Sequence, residues 1–247
     1  MLLVHGITTY SFIWNNLLPG LSSRYDLIVP DLLGCGGSDK FSDDMSPEGQ
    51  ALMLLGLMDK LGVERVHLVT HDIGGAVGQI MAVRYPERLL DLTMINTVGY
   101  DYWPVQPIIT FRAPIIRELA MAILNKTILR TLVQRGVYHK DKVTDELMDE
   151  FYLPFESSSG RKGFLNLARC LNNRQLMDMK DDIHALLLPV MIVRGDADAY
   201  LPPVISERLH ENIRGSRLER IETGGHFIQL DEPDWLVGLI MDFCRGG

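Results

Sequence analysis

Val69-Thr70-His71-Asp72-Ile73-Gly74-Gly75 decides how this chain is read. The apolar run Val66–Thr70 leads into it. A helical pattern from Ile73 to Tyr85, ended by Pro86, leads out. The spacing predicts a strand that enters a helix through a tight turn. The two glycines let that turn close and let the helix pack on the strand. At the tip stands an aspartate. Taken alone, it reads as a helix cap. In a strand–turn–helix corner it also reads as a presented nucleophile.

Other short apolar runs surround this corner. Leu2–His5, Asp26–Val29, Leu92–Asn96, Val190–Arg194 and Leu218–Ile221 read as buried strands. Ser46-Pro47 supplies a cap and a first-turn proline for a helix running to Leu61, with Gly62 as its stop. Strands alternating with helices call for an α/β fold: a mostly parallel twisted sheet with right-handed crossovers. Chemistry in such folds sits on loops at the carboxyl ends of the strands. From about Val98 to Ile183 the pattern is helical only, punctuated by Pro104, Pro107, Pro114 and Pro154 and by an expected turn at Ser157-Ser158-Ser159-Gly160. The expected organisation is a core of residues 1–97 and 184–247 with a helical cap, 98–183, inserted between strands.

The composition bounds the function. The chain has 247 residues, 24 Lys+Arg against 32 Asp+Glu, a net charge of -8 and 47% hydrophobic residues. A chain of this size buries a substantial core without staples, and its apolar content argues against disorder. The acidic balance disfavours nucleic acid and anionic membranes as partners. No apolar run approaches the ~18 residues of a membrane helix. Cys35, Cys170 and Cys244 fit neither a disulfide framework nor a zinc spacing, which suggests a reducing, cytoplasmic setting. His67, His139, His184 and His210 show no ligand-like spacing, so no metal is expected. Gly34-Cys35-Gly36-Gly37 lacks the Lys-Ser/Thr of a phosphate loop. No cofactor is expected.

Two later segments complete a constellation. Gly195-Asp196-Ala197-Asp198 follows one strand and Gly224-Gly225-His226-Phe227 follows another. The order is Asp72, then an acid, then His226: nucleophile, orienting group and base, each just after a strand. Position alone leaves Asp196 and Asp198 both open as the acid. Upstream, Val4-His5-Gly6-Ile7 ends a strand in a glycine turn, so the Ile7 N–H can point at the same place.

Over nearly its whole length the chain resembles the α/β-hydrolase fold family. The elbow is similar to that of its aspartate-nucleophile branch, the epoxide hydrolases and haloalkane dehalogenases. The stretches His5–Asn16 and Pro30–Lys40 are dehalogenase-like. The resemblance implies Asp72 as nucleophile, His226 as base and Asp198 as its acid, because the family's acid stands three residues after the glycine. It implies an oxyanion hole from the N–H groups of Ile7 and Ile73.

An aspartate nucleophile selects its chemistry. Attack of a carboxylate on a saturated carbon leaves an ester that water can hydrolyse, whereas a serine would leave an ether. Carbon–halogen bonds and epoxides are therefore expected over esters and peptides, on a small, mostly apolar substrate with water as co-substrate. Dehalogenases similar to this chain clamp the halide with side-chain donors at positions that here hold Ile73 and Ile7, neither of which can donate. An epoxide needs an acid for its alkoxide. In the resembling enzymes cap tyrosines supply it, which makes Tyr138 and Tyr152 candidates, with Tyr102 near the cap entrance and Trp103 as a further substrate-binding candidate. The expectation is an epoxide-hydrolase-like enzyme, with dehalogenation as the alternative. A binding protein without turnover, or an unusual ester or carbon–carbon bond hydrolase, forms the rival class.

The resembling enzymes carry two strands ahead of the His-Gly strand that are not seen here. A six-stranded sheet with Asp26–Val29 at its edge is expected, an edge able to pair with another copy of the chain.

Overall fold

In the computed structural model, which describes residues 1–245, five strands form one sheet in the order β1-β2-β3-β4-β5. They are β1 (Leu2–Val4), β2 (Val66–Asp72), β3 (Leu89–Thr97), β4 (Val190–Gly195) and β5 (Arg217–Ile221). Every pairing is parallel. The first four are buried almost throughout, which is why they read as unbroken apolar runs and not as alternations. β5 closes one side with Arg217, Glu219 and Arg220, charges that discourage pairing with a further chain.

Asp26–Val29 is not a sixth strand. It meets β1 through one bridge, Leu2 to Ile28, with Leu3 N–H donating to Ile28 O and Ile28 N–H to Met1 O, both at 2.9 Å. β1 has only three residues to offer. Pro30 brings no N–H, so the ladder has nothing to continue with.

The helix Pro47–Lys60 starts at Ser46, whose hydroxyl accepts the Gly49 N–H at 3.3 Å, and stops before Gly62, which has φ 68°. The helix Ile73–Arg84 follows β2 with no residue between. Between β3 and β4 lie Ile116–Ile123, Lys126–Gly136, Asp145–Glu156, Ser158–Cys170 and two short helices, Arg174–Asp178 and Lys180–His184, with no strand among the described residues. The serine run expected as a turn instead starts a helix. Ser157 Oγ accepts the Gly160 N–H at 2.9 Å and so caps Ser158–Cys170.

The helical segment is anchored over the carboxyl ends of the strands by aromatic packing. Phe151 sits edge-on to Phe12 of the β1 loop (4.9 Å) and to Phe227 beyond β5 (5.2 Å). The short helices Arg174–Asp178 and Lys180–His184 rest against Ile73–Arg84. Among the described residues no helix is long and apolar enough to cross a membrane.

Candidate active site

Asp72 is the last residue of β2 and caps the helix that follows, at φ 53° and ψ −119°. A residue other than glycine rarely holds such a conformation, and strained backbone of this kind is a mark of functional corners. The neighbours are shaped for it. A Cβ on Gly6 would stand 2.5 Å from that of Asp72, so only glycine lets the β1 loop pass so near. A Cβ on Gly75 would collide with Thr97 Oγ1, so glycine lets the helix close on β3.

That approach brings the Ile7 N–H to 3.0 Å from Asp72 Oδ1, and the Ile73 amide also favours the carboxylate. Burial raises the Asp72 carboxyl above its ordinary value, and the opposing pull of His226 and the two amides does not cancel it. His226 arrives on the loop after β5. Its Nε2 lies 3.7 Å from Asp72 Oδ2 and its Nδ1 lies 3.0 Å from Asp198 Oδ2. Asp198 Oδ1 accepts the N–H groups of Tyr200 at 2.8 Å and Leu201 at 3.1 Å. Burial alone would lower the imidazole's pKa, but the Asp198 carboxylate, reinforced by Asp72, raises it. Burial likewise pushes Asp198 up, and the imidazole and two amides outweigh it, holding the carboxyl below the usual range. Asp196 turns outward to Arg220 at 2.8 Å, so the choice between the two acids falls to Asp198 by geometry.

Several buried polar groups hold these loops together, and of them Asn96 and Asp231 stood in no site motif. Asn96, at φ 38° near the end of β3, donates to Gly225 O (2.8 Å) and His226 O (2.9 Å) and accepts the Gly195 N–H (3.0 Å). One amide thus ties the acid loop to the base loop. Asp231 accepts from Gly225 N–H at 2.8 Å and from Tyr138 and His139 N–H at 2.9 Å, pinning the base loop to the helical segment. His71 Nε2 donates to His226 O at 2.9 Å, and burial drives its pKa down to about 3, so it stays neutral. His5, lowered by burial to about 4, accepts the Leu32 N–H on Nε2 and donates from Nδ1 to Gly6 O, bracing the Ile7 turn.

Two cavities meet Asp72. The larger, about 60 Å³, is bounded by Ile7, Asp72, Val133, Tyr200, His226 and Phe227 among others. The smaller, about 20 Å³, is bounded by Asp72, Ile73, Trp103, Leu171 and Leu201 among others. A single water needs roughly 10–15 Å³, so the larger cavity has room for several water-sized groups beside Asp72.

The aromatic candidates separate here. Trp103 borders the smaller cavity at 2% exposure, and its indole N–H is buried with no partner among the described residues. Tyr138 and Tyr152 border neither cavity, which corrects the expectation that they line the pocket. Tyr138 is 47% exposed, its backbone held by Asp231 so that its ring lies outside against His139. Asp145–Glu156 buries Met148, Phe151 and Phe155, which leaves Tyr152 on the flank with its hydroxyl accepting from Arg161 at 3.2 Å. Tyr102 likewise accepts from Arg208, at 3.4 Å. The tyrosine at the larger cavity is Tyr200. Its ring stands edge-on to His226 at 5.3 Å, and its hydroxyl donates to Leu132 O at 2.6 Å. Its place two residues after Asp198 was the available signal.

Comparison with known proteins agrees with this architecture. The cis-3-alkyl-4-alkyloxetan-2-one decarboxylase of Shewanella oneidensis is 28% identical over 98% of this chain and 81% of its own length. Epoxide hydrolase 4 of Mus musculus is 27% identical over 99% of this chain and 72% of its own. The crystal structure of an ancestral haloalkane dehalogenase superposes with a TM-score of 0.82 at 25% identity, covering 100% of this chain and 92% of that one. A family profile described as the alpha/beta hydrolase fold matches residues 1–233, a span that holds the elbow, the acid loop and the base loop. The chain belongs to the α/β-hydrolase fold family.

Proposed function

We propose that this protein hydrolyses a small, mostly apolar substrate at an electrophilic saturated carbon, through an ester on Asp72. The observation that carries the reading is the division of one carboxylate. Oδ1 is held by the Ile7 N–H at 3.0 Å, while Oδ2 faces His226 Nε2 at 3.7 Å.

Oδ2 attacks the carbon, and the leaving group departs with the bonding pair. His226 then takes a proton from water, and the hydroxide adds to Cγ of the ester. The charge gathers on Oδ1, which already accepts the Ile7 N–H, with the Ile73 amide as a second donor to the same carboxyl, and such preorganised donors act most strongly where charge develops. Collapse expels the alkoxide, which takes the proton back from His226 and leaves as the alcohol. The carboxylic acid left on Asp72 gives its remaining proton through His226 to solvent, restoring the carboxylate. Asp198 holds the imidazole and stabilises its charged form.

The surroundings favour a leaving group that departs as a stable anion, a halide first. No tyrosine hydroxyl is free at either cavity among the described residues, so the alkoxide of an opened epoxide has no phenol to protonate it. The unpartnered Trp103 N–H suits an anion, because an indole donates a hydrogen bond without giving up its proton. With Ile7 and Ile73 unable to donate from their side chains, the halide leans on Trp103. Epoxide opening, the first expectation from the sequence, becomes the second reading here, supported by the likeness to epoxide hydrolase 4.

A panel of small haloalkanes and epoxides tests this with the native protein and Asp72→Asn. Halide release matched by alcohol, lost in the variant, supports the first reading. Diol formation, lost in the variant, supports the second. A ligand that raises the melting temperature while nothing is consumed would point to binding without turnover and overturn both.

A further inference from the structure

The far end of the sheet carries another cluster of reactive side chains. His67 and Asp91 are cross-strand neighbours near the amino ends of β2 and β3, just past a register shift after Val66. His67 Nδ1 lies 2.6 Å from Asp91 Oδ2. Cys244, which caps the last helix Pro233–Phe243, places Sγ 3.9 Å from Asp91 Oδ1. One donor atom from each residue falls within 4.8 Å of the others. Asp72 is five residues up β2, roughly 16 Å away at the usual strand rise, so this cluster takes no part in the catalytic site.

We propose that His67, Asp91 and Cys244 form a structural site for a thiophilic divalent cation, zinc above all. The donor set is one imidazole nitrogen, one carboxylate oxygen and one thiolate sulfur, each a regular zinc ligand. Zinc–ligand bonds of about 2.0–2.3 Å put tetrahedral donors some 3.3–3.8 Å apart. The His67–Asp91 pair must open by about that difference and Cys244 must close slightly.

Charge balance favours occupancy. Asp91 and Cys244 are buried, at 1% and 6% exposure. A divalent ion with one carboxylate, one thiolate and a neutral imidazole makes a neutral group, the form a buried site tolerates. The thiol proton leaves to solvent as the metal binds. His67 is only partly buried, which leaves a water free to fill the fourth position. The ring of Tyr25 stands edge-on to His67 at 5.3 Å and limits its swing. Bound metal would staple the last helix to the middle of the sheet.

The test uses metal-stripped protein titrated with Co²⁺, read by absorption, and with Zn²⁺, read by bound metal and melting temperature. The expected result is one cobalt per chain with a thiolate-to-cobalt charge-transfer band. That band should persist in Cys35→Ser and Cys170→Ser and vanish in Cys244→Ser. Zinc should raise the melting temperature by roughly 5 °C at saturating metal in the native protein. His67→Gln, which keeps the thiol, should lose at least tenfold in affinity, so the proposal stays testable even if Cys244→Ser fails to fold. No stoichiometric metal on folded protein, or a band that survives in Cys244→Ser, overturns it.

Discussion

His226 Nε2 stands 3.7 Å from Asp72 Oδ2, too far for a direct hydrogen bond and near enough for one water to touch both. That gap gives the two groups separate work. In the proposed reaction the carboxylate keeps its lone pairs for carbon, and the imidazole addresses the water that attacks the ester.

A pH dependence follows with a definite sign. Ester hydrolysis needs neutral His226, whose pKa is raised above the ordinary 6.5 chiefly by Asp198. Single-turnover decay of the ester should therefore speed up as pH rises, through a limb above 6.5. In Asp198→Asn the limb should move to lower pH, and the plateau rate should fall by about 10³-fold or more as the imidazolium loses its support. An unmoved limb would assign the titration to another group.

Trp103→Phe separates the leaving-group role from packing. The indole N–H is buried and unpartnered, so its removal leaves nothing unsatisfied and should keep the melting temperature within a few degrees. Halide release should fall by about 10–100-fold, with kcat affected more than KM, since the donor matters most as charge develops. Steady-state kinetics of both proteins on the same haloalkane checks this. Unchanged kcat would leave Trp103 as a wall.

Asn96→Leu should unsettle the site from below. It removes the acceptor of Gly195 N–H and the donor to the Gly225 and His226 carbonyls, at a residue with φ 38°. A loss of about 2–4 kcal/mol in denaturant unfolding is expected from the stranded buried groups and the left-handed backbone. Activity should drop even where the protein remains folded.

Ser46→Ala tests a smaller, local term. The Ser46 hydroxyl caps Pro47–Lys60, and its removal should cost about 1 kcal/mol, measured by denaturant unfolding, with turnover unchanged.

The chain's local signals were enough where the structure depends on local chemistry. Ser46, Pro47 and Gly62 mark a helix because caps and stops act within a few residues. Asp72, His226 and the loop of Asp196 and Asp198 stood out because each follows an apolar strand, and a parallel sheet collects such loops at one end. The preference for Asp198 came from the family resemblance, and the structure sets Asp198 against His226. The facing of Tyr138 and Tyr152 was not, since it depends on Asp231 and on which side of Asp145–Glu156 meets Phe12 and Phe227. Asp26–Val29 has strand composition, but pairing needs a long enough neighbour, and β1 is short. Asn96 and the His67–Asp91–Cys244 cluster were hidden by distance along the chain: Asp91 lies 24 residues from His67 and 153 from Cys244.

The ester on Asp72 is the central claim, and intact mass on His226→Gln tests it most directly. In that variant Asp72 should still attack, while the ester should not turn over. With a small haloalkane the account predicts a mass gain equal to the alkyl group, located by peptide mapping at Asp72. With an epoxide substrate the gain would equal the whole molecule. Folded His226→Gln that gains no mass from any substrate the native protein consumes, or gains it at a residue other than Asp72, would contradict the account.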